Sequence, residues 1–347
     1  MKEVALIIFT FICLSGCKQK YKPRVLTEVE IEEFSVVNSS IRAIHATDSL
    51  KVFYASSSGN VGFKTYNNND LELQSIVYAD TLLPHFRGVA FNGENYFALS
   101  IGNPALLYKI YSDKFSLVYK EEHENVFYDA ITFFEDNLHG IAVGDATENC
   151  ASILTTKNGG ETWQKTPCSQ LPILEEGEAF FAASNTNIKT LGSTVWIASG
   201  GKKARIFKSS DYGNSWQVYN TPIIHGNGPQ GIYSIDFYDD KNGIIIGGNY
   251  AEPKGNKANK AITKDGGESW QLVSNERNPN YKSAVQYVPD TDGKEVFAVG
   301  KTGISFSNNG GKSWVKVSSK GFYAITFTDK NRAWLSGANK IGKMALK

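Results

Sequence analysis

The chain has 347 residues, 41% hydrophobic and 12% aromatic, with 32 glycines against 10 prolines and 2 methionines. This turn-rich balance suits many short strands and argues against a helical bundle, and a closed all-β architecture of this length can be one unit. The 36 basic and 35 acidic side chains nearly cancel. With no Lys/Arg stripe interleaved with aromatic residues, nucleic acid is not expected as a partner.

At the N-terminus Lys2 precedes an apolar run from Val4 to Leu14, the length of a signal-peptide core and too short to span a bilayer. The run ends in Leu14-Ser15-Gly16-Cys17, which resembles a bacterial lipobox. The resemblance implies a lipoprotein signal peptide over 1–16, palmitate-like acylation of Cys17, a tether over 17–23 and a single domain over 24–347. Buried acyl chains contribute roughly 0.8 kcal/mol per methylene, so a multiply acylated Cys17 holds a protein on a membrane without a transmembrane helix. The expected location is the cell envelope, lipid-anchored to the outer or inner membrane after export from the cytoplasm. Lys18, rather than Asp, follows the Cys, which in proteobacteria resembles outer-membrane sorting.

Cys13 leaves with the signal and Cys17 is acylated, leaving Cys150 and Cys168 as free thiols in an oxidising compartment. They flank Ile153 to Trp163, which reads as strand, turn, strand. Facing residues of an antiparallel hairpin share a constant sum of residue numbers, and Cys150 with Cys168 nearly matches Thr156 with Trp163. The spacing predicts a cross-strand disulfide and no metal site.

Four segments share the form Ser/Thr-x-Asp/Asn-x-Gly-x-x-Trp: Thr156-Asn158-Gly160-Trp163, Ser209-Asp211-Gly213-Trp216, Thr263-Asp265-Gly267-Trp270 and Ser307-Asn309-Gly311-Trp314. The pattern resembles the Asp-box of bacterial neuraminidase (BNR) repeats. In a hairpin turn the Asp or Asn caps amides, the Gly takes positive φ and the Trp buries a large surface, so these residues are structural. The same box occurs in sialidases and in photosystem II assembly factor-like propellers, and it specifies fold more than function.

A longer repeat precedes each box: an apolar strand, a polar turn, then a second apolar strand ending in small residues. Copies begin at Ala43, Gly88, Ala130, Ala179, Ser234, Ala284 and Ala324, at intervals of about 40 to 55 residues. Each is long enough for the four strands of a propeller blade. The first two copies carry only Asn67 to Asp70 and Ser112-Asp113 at the box position. The last ends at Leu346 after three strands, while Val25 to Val37 is β-rich. The expected fold is therefore an all-β, seven-bladed β-propeller with Asp-box hairpins, its ring closed by the N-terminal strand.

The residue before each first strand, Arg42, Arg87, Asp129, Glu178, Tyr233, Ser283 or Tyr323, falls at the channel mouth opposite the hairpins. Beside it falls the residue after each second strand: Asn60, Asn103, Asp145, Lys202, Asn249, Lys301 or Asn339. From these two columns Arg42, Arg87, Asp129, Glu178, Tyr233, Tyr323, Asn103 and Asp145 are candidate ligand contacts, because loop residues on a rigid scaffold carry function. Two loops, Cys168 to Glu178 and Tyr250 to Lys260, reach the same face; the second carries three Lys and reads as a solvated loop or, alternatively, a basic lid over the mouth.

The resemblance to photosystem II assembly factor-like propellers implies a membrane-anchored, non-catalytic binding or assembly module for a protein or saccharide partner. The sialidase likeness offers an alternative, a glycoside hydrolase using Arg42 and Arg87 for a substrate carboxylate, Tyr233 or Tyr323 with Glu178 as nucleophile and Asp129 as acid. Against it, no third Arg falls in the column and the Arg-Ile-Pro signature of sialidases is absent. The stretch Gly177 to Ser184 resembles exported propellers labelled oxidoreductases. However, there is no strand-Gly-x-Gly-x-x-Gly-helix unit for a dinucleotide, no Cys-x-x-Cys and no haem motif, and the five histidines lack ligand spacing, so no cofactor or metal is expected.

Overall fold

The structure, a computed structural model, describes residues 21–46, 50–65, 71–112 and 114–346. The signal segment, Cys17, the start of the tether, Asn67 to Asp70 and Asp113 lie outside the described residues. Five sheets have four antiparallel strands each, a sixth has six, and the last is completed by the N-terminal strand, which gives seven blades. Blades one to six run over 43–75, 86–121, 128–165, 188–220, 230–272 and 284–318, and blade seven combines 324–345 with Glu30–Ser40.

The second strand of each blade is apolar throughout because neighbouring blades cover both its faces. Ile141, Ala142 and Val143, then Ile244 to Ile246, then Val296 to Val299 are each fully buried. A strand sandwiched this way loses the polar alternation of a half-exposed one, and a continuous apolar run results.

Ring closure follows the sequence reading. Glu30–Ser40 pairs antiparallel with the end of Arg332–Ala345, from Glu30 opposite Ala345 to Ser35 opposite Lys340. The long final strand turns back at Asn339, where φ is +56°, and the Leu346 amide reaches the Asn331 carbonyl at 2.8 Å. Blade seven thereby gains its four strands, and Trp334, Ile341, Val36, Tyr54 and Val52 form a buried cluster at the seam with blade one.

The four hairpins share one hydrogen-bond pattern. The Asp211 carboxylate accepts from the Ser209 hydroxyl at 2.7 Å and the Ser215 amide at 2.8 Å, while the Ser209 oxygen accepts the Gly213 amide at 2.8 Å. Asn158, Asp265 and Asn309 repeat the arrangement. Burial pushes the Asp265 carboxyl up, but hydrogen bonds from Ser269 and Thr263 outweigh it and leave it at about 2. Gly160 sits at φ +86°, where a Cβ would meet the Phe97 ring at 2.4 Å. Trp163 packs edge-on against Phe97 and Phe133, whereas the Trp216, Trp270 and Trp314 indoles also donate to carbonyls of their own turns.

Cys150 and Cys168 are joined, with Cα atoms 5.6 Å apart. The bond lies just beyond the paired residues Leu154–Lys165 and Thr155–Gln164, at the open end of the hairpin rather than inside its ladder.

One repeat boundary is displaced. The first strand of blade four is Ile188–Leu191, not a strand at Ala179. Glu178–Ala179 instead pairs with Gly200–Gly201, which continues to Gly231 on the edge of blade five. The apolar-polar pattern at Ala179 imitates a first strand, and residues 180–187 do something else.

Candidate functional site

Arg87, Asp129 and Tyr233 are each the extra residue of a β-bulge in an innermost strand. The pairing with the second strand skips from Phe86 to Gly88, from Tyr128 to Ala130 and from Ile232 to Ser234. A bulged residue leaves the ladder and its side chain is re-aimed, for Arg87 and Tyr233 toward the mouth cavity. Arg42, Ser283 and Tyr323 directly precede the first strands of blades one, six and seven.

The mouth encloses a cavity of about 560 Å³ lined by Arg42, Arg87, Asp145, Tyr233 and Tyr323 together with Phe127, Phe181, Tyr250, Tyr281 and Lys301. Its floor is the segment from Phe180 to Thr186, which crosses the channel and bonds to five blades. The Phe180 amide donates to Asp145 at 2.7 Å, Arg87 reaches the Ala182 carbonyl at 3.4 Å and Arg42 the Ala183 carbonyl at 3.3 Å. Ser184 donates to the Ser283 carbonyl at 2.6 Å, and Thr186 meets Ser234 at 2.7 Å. Asn185 accepts from the Ile131 amide at 2.9 Å and donates to the carbonyls of Val89 and Ile131 at 2.8 and 3.2 Å. The stretch Gly177 to Ser184 is therefore in large part a channel plug.

The two arginines differ in their surroundings. Arg42 lies 4.1 Å over the Tyr323 ring, and its Nε is buried without a partner. Arg87 Nε donates to His85 Nε2 at 3.3 Å. Burial, and then the Arg87 and Arg42 charges, lower the His85 ring to about 4, so it is neutral and accepts that bond. Burial and the Arg42 charge also push the Arg87 guanidinium down. Among the described residues neither arginine forms an ion pair.

Beneath Arg87 lies Asp129, fully buried, with no well-formed hydrogen bond to either oxygen. Burial raises its carboxyl well above the usual range and Asp145 raises it further, while Arg87 and the nearby amides of Ala182 and Asp145 pull the other way. Burial also lifts Asp145, to about 6, against the Phe180 amide. The opposite wall is aromatic: Phe181 stacks on Tyr233 with centroids 4.0 Å apart, and Tyr281 meets Tyr233 edge-on at 4.9 Å.

Of the eight candidate contacts, Asp129, Glu178 and Asn103 do not line the cavity, Asp129 being the fully buried carboxyl. Glu178 is buried away from the cavity, accepting from Arg205 Nε at 3.0 Å and from Ser199, because its segment belongs to the ribbon beside blade five. Asn103 is exposed and does not line the cavity. Lys260, counted in the basic lid, is buried at the start of a strand and donates to the Arg277 carbonyl at 2.9 Å, so the lid keeps only Lys254 and Lys257. Phe127, Phe181 and Tyr281 were not selected; for Phe181 the signal was the stretch Gly177 to Ser184 itself.

This arrangement binds more readily than it reacts. Tyr233 donates to the Pro229 carbonyl at 2.9 Å, and burial pushes its hydroxyl up, the wrong direction for a nucleophile. Glu178, its proposed partner, is committed to Arg205. Two arginines and an aromatic wall line the same cavity, which suits a ligand with anionic or carbonyl oxygens and an apolar body.

No protein-family model matches the chain. Among curated proteins it is 26% identical over 208 residues to the photosystem II stability/assembly factor HCF136, chloroplastic, of Oryza sativa subsp. japonica, covering 58% of this chain. The match spans 42% of that relative, less than half its length. Among solved structures, YCF48 bound to D1 peptide has a TM-score of 0.66 at 16% identity over 94% of this chain and 98% of its own. YCF48 from Cyanidioschyzon merolae scores 0.62 at 16% identity over 91% and 98%. The RRP9 WD40 repeats score 0.66 at only 10% identity over 92% and 100%. Likeness at these identities carries the architecture and not the ligand. The chain is a seven-bladed β-propeller similar in fold to YCF48 and in part of its sequence to the photosystem II assembly factor.

Proposed function

We propose that this protein is an exported, lipid-anchored propeller of the cell envelope that holds a segment of a partner protein at its mouth and catalyses no reaction. The carrying observation is the half-buried pair Arg42 and Arg87, which opens on the cavity without an ion pair among the described residues. Desolvated guanidiniums that repel each other gain from an anion between them. A peptide carrying a carboxylate supplies that charge, and an adjoining apolar side chain packs against Phe181, Tyr233 and Tyr281. The YCF48 structure that bears the same fold holds a D1 peptide, which supports a peptide over a sugar.

Thermal-shift titration of the mature chain with acidic peptides, their neutral analogues and sialosides tests the reading. Stabilisation by acidic peptides that weakens tenfold or more in Arg87→Ala supports it. Stabilisation by sialosides alone, or their hydrolysis, returns the glycosidase alternative, and indifference to every peptide overturns the proposal.

A further inference from the structure

The first described residues of the chain are bolted to the hairpin face. Glu295, whose side chain is fully buried, accepts the Tyr21 hydroxyl at 2.6 Å, the Arg24 amide at 2.7 Å and Arg24 Nε at 2.8 Å. Lys294 donates to the Tyr21 carbonyl at 2.7 Å, Asn308 to the Arg24 carbonyl at 3.0 Å, and Arg24 to Asn331 at 3.2 Å. Leu26 then enters the core shared by blades six and seven. Burial works against the Glu295 charge, but the bonds from Arg24 and Tyr21 outweigh it and hold its carboxyl below the usual range. This clamp fixes where the tether leaves the propeller.

The exit point lies at the end opposite the mouth. The loop carrying Glu295 abuts the last hairpin, where the Gly310 amide reaches the Lys294 carbonyl at 2.8 Å. Glu295 precedes the strand Val296–Gly300, and Lys301, which lines the mouth cavity, follows it. Six steps at about 3.3 Å separate the two ends by roughly 20 Å. Cys17 stands four residues before Tyr21, a reach of at most about 14 Å. An acyl group on Cys17 therefore reaches a bilayer under the hairpin face and not one at the mouth.

We infer that the hairpin face of blades six and seven is a membrane-facing surface, held against the lipid headgroups by the Tyr21–Arg24–Glu295 clamp so that the mouth points away from the bilayer. The inference rests on acylation of Cys17 and is independent of what the mouth binds. Lys18, Lys20 and Lys22 lie in the tether, with no acidic residue between Cys17 and Glu28; near an anionic leaflet each basic residue contributes about 1 kcal/mol. Lys312 and Lys330 are exposed on the same side.

The test uses the full chain, acylated in cells and reconstituted into phosphatidylethanolamine/phosphatidylglycerol vesicles carrying a headgroup quencher. Fluorophores are placed at Lys312→Cys on the hairpin face and at Glu252→Cys in the loop beside the mouth. Several-fold stronger quenching at position 312 is expected, and Glu295→Ala is expected to remove the difference while the protein stays on the vesicles. If that variant does not fold, Tyr21→Ala with Lys294→Ala loosens the clamp from its exposed side. Equal quenching at the two positions, or stronger quenching at 252, overturns the orientation. Cys17→Ser should move the chain to the soluble fraction; if the unmutated chain is already soluble, the anchor fails and the orientation with it, whatever the peptide titrations show.

Discussion

The Arg87 guanidinium donates to the main-chain carbonyl of Ala182 at 3.4 Å, across 95 positions of sequence. The contact ties a bulged residue of blade two to the plug that floors the mouth. A guanidinium facing a carbonyl rather than a carboxylate keeps its charge for a ligand, as the proposed peptide binding requires.

Two carboxyls raised by burial, Asp145 and Asp129, make stability depend on pH. Asp145 is raised from its ordinary value to about 6, so the folded state holds that proton more tightly than the unfolded one. Its stabilising contribution is complete below about pH 4 and is lost as pH rises through about 6. Allowing for the group's partial exposure, the loss is on the order of 1–2 kcal/mol. Asp145→Asn keeps the acceptor for the Phe180 amide, so urea midpoints at pH 4, 6 and 8 should lie closer together than in the unmutated protein. A steeper fall in the variant would refute this account.

Asp129 is buried more deeply and shifted in the same direction. Replacing it by Asn removes a charge that is costly to bury, so Asp129→Asn should raise the melting temperature at pH 8 and change it little at pH 4. Destabilisation at both values would show that the carboxyl has a structural partner.

Asn185 holds the plug through three hydrogen bonds to blades two and three. Asn185→Ala leaves the Ile131 amide without its acceptor and is expected to cost about 1–3 kcal/mol. Hydrogen exchange at the Ile131 amide should accelerate more than exchange in blade six. Uniform acceleration would mean that the plug is not a local unit.

The Cys150–Cys168 bond closes a loop with a sequence separation of 18. Chain entropy of that size corresponds to about 3 kcal/mol, so Cys150→Ser with Cys168→Ser should lower the denaturant midpoint accordingly. An unchanged midpoint would show that Leu171 and Phe180, which pack beside the bond, hold the segment alone.

Closure of the ring depends on packing at its seam. Trp334 is buried at the blade seven–one interface, and Trp334→Ala should cost about 3–5 kcal/mol by leaving a cavity there. A cost near 1 kcal/mol would point to a seam that collapses around the gap.

The propeller was legible because its signals are local and repeated. A hairpin turn fits in the eight residues from Ser209 to Trp216, the buried second strand is one apolar run such as Ile244 to Ile246, and recurrence gives the blade count. The Cys150–Cys168 pairing and the mouth positions of Arg42, Arg87, Tyr233 and Tyr323 followed from the same short-range geometry. Blade four escaped because Ala179 carries the apolar pattern of a first strand, and pattern alone does not say which neighbour a strand pairs with. That Glu178 is neutralised by Arg205, that the residues after it cross the channel to meet Arg42 and Arg87, and that Tyr21 and Arg24 close on Glu295 are contacts between positions from 27 to 274 residues apart. No periodicity encodes such pairs; they exist only once seven blades have closed and brought both ends of the chain to one face.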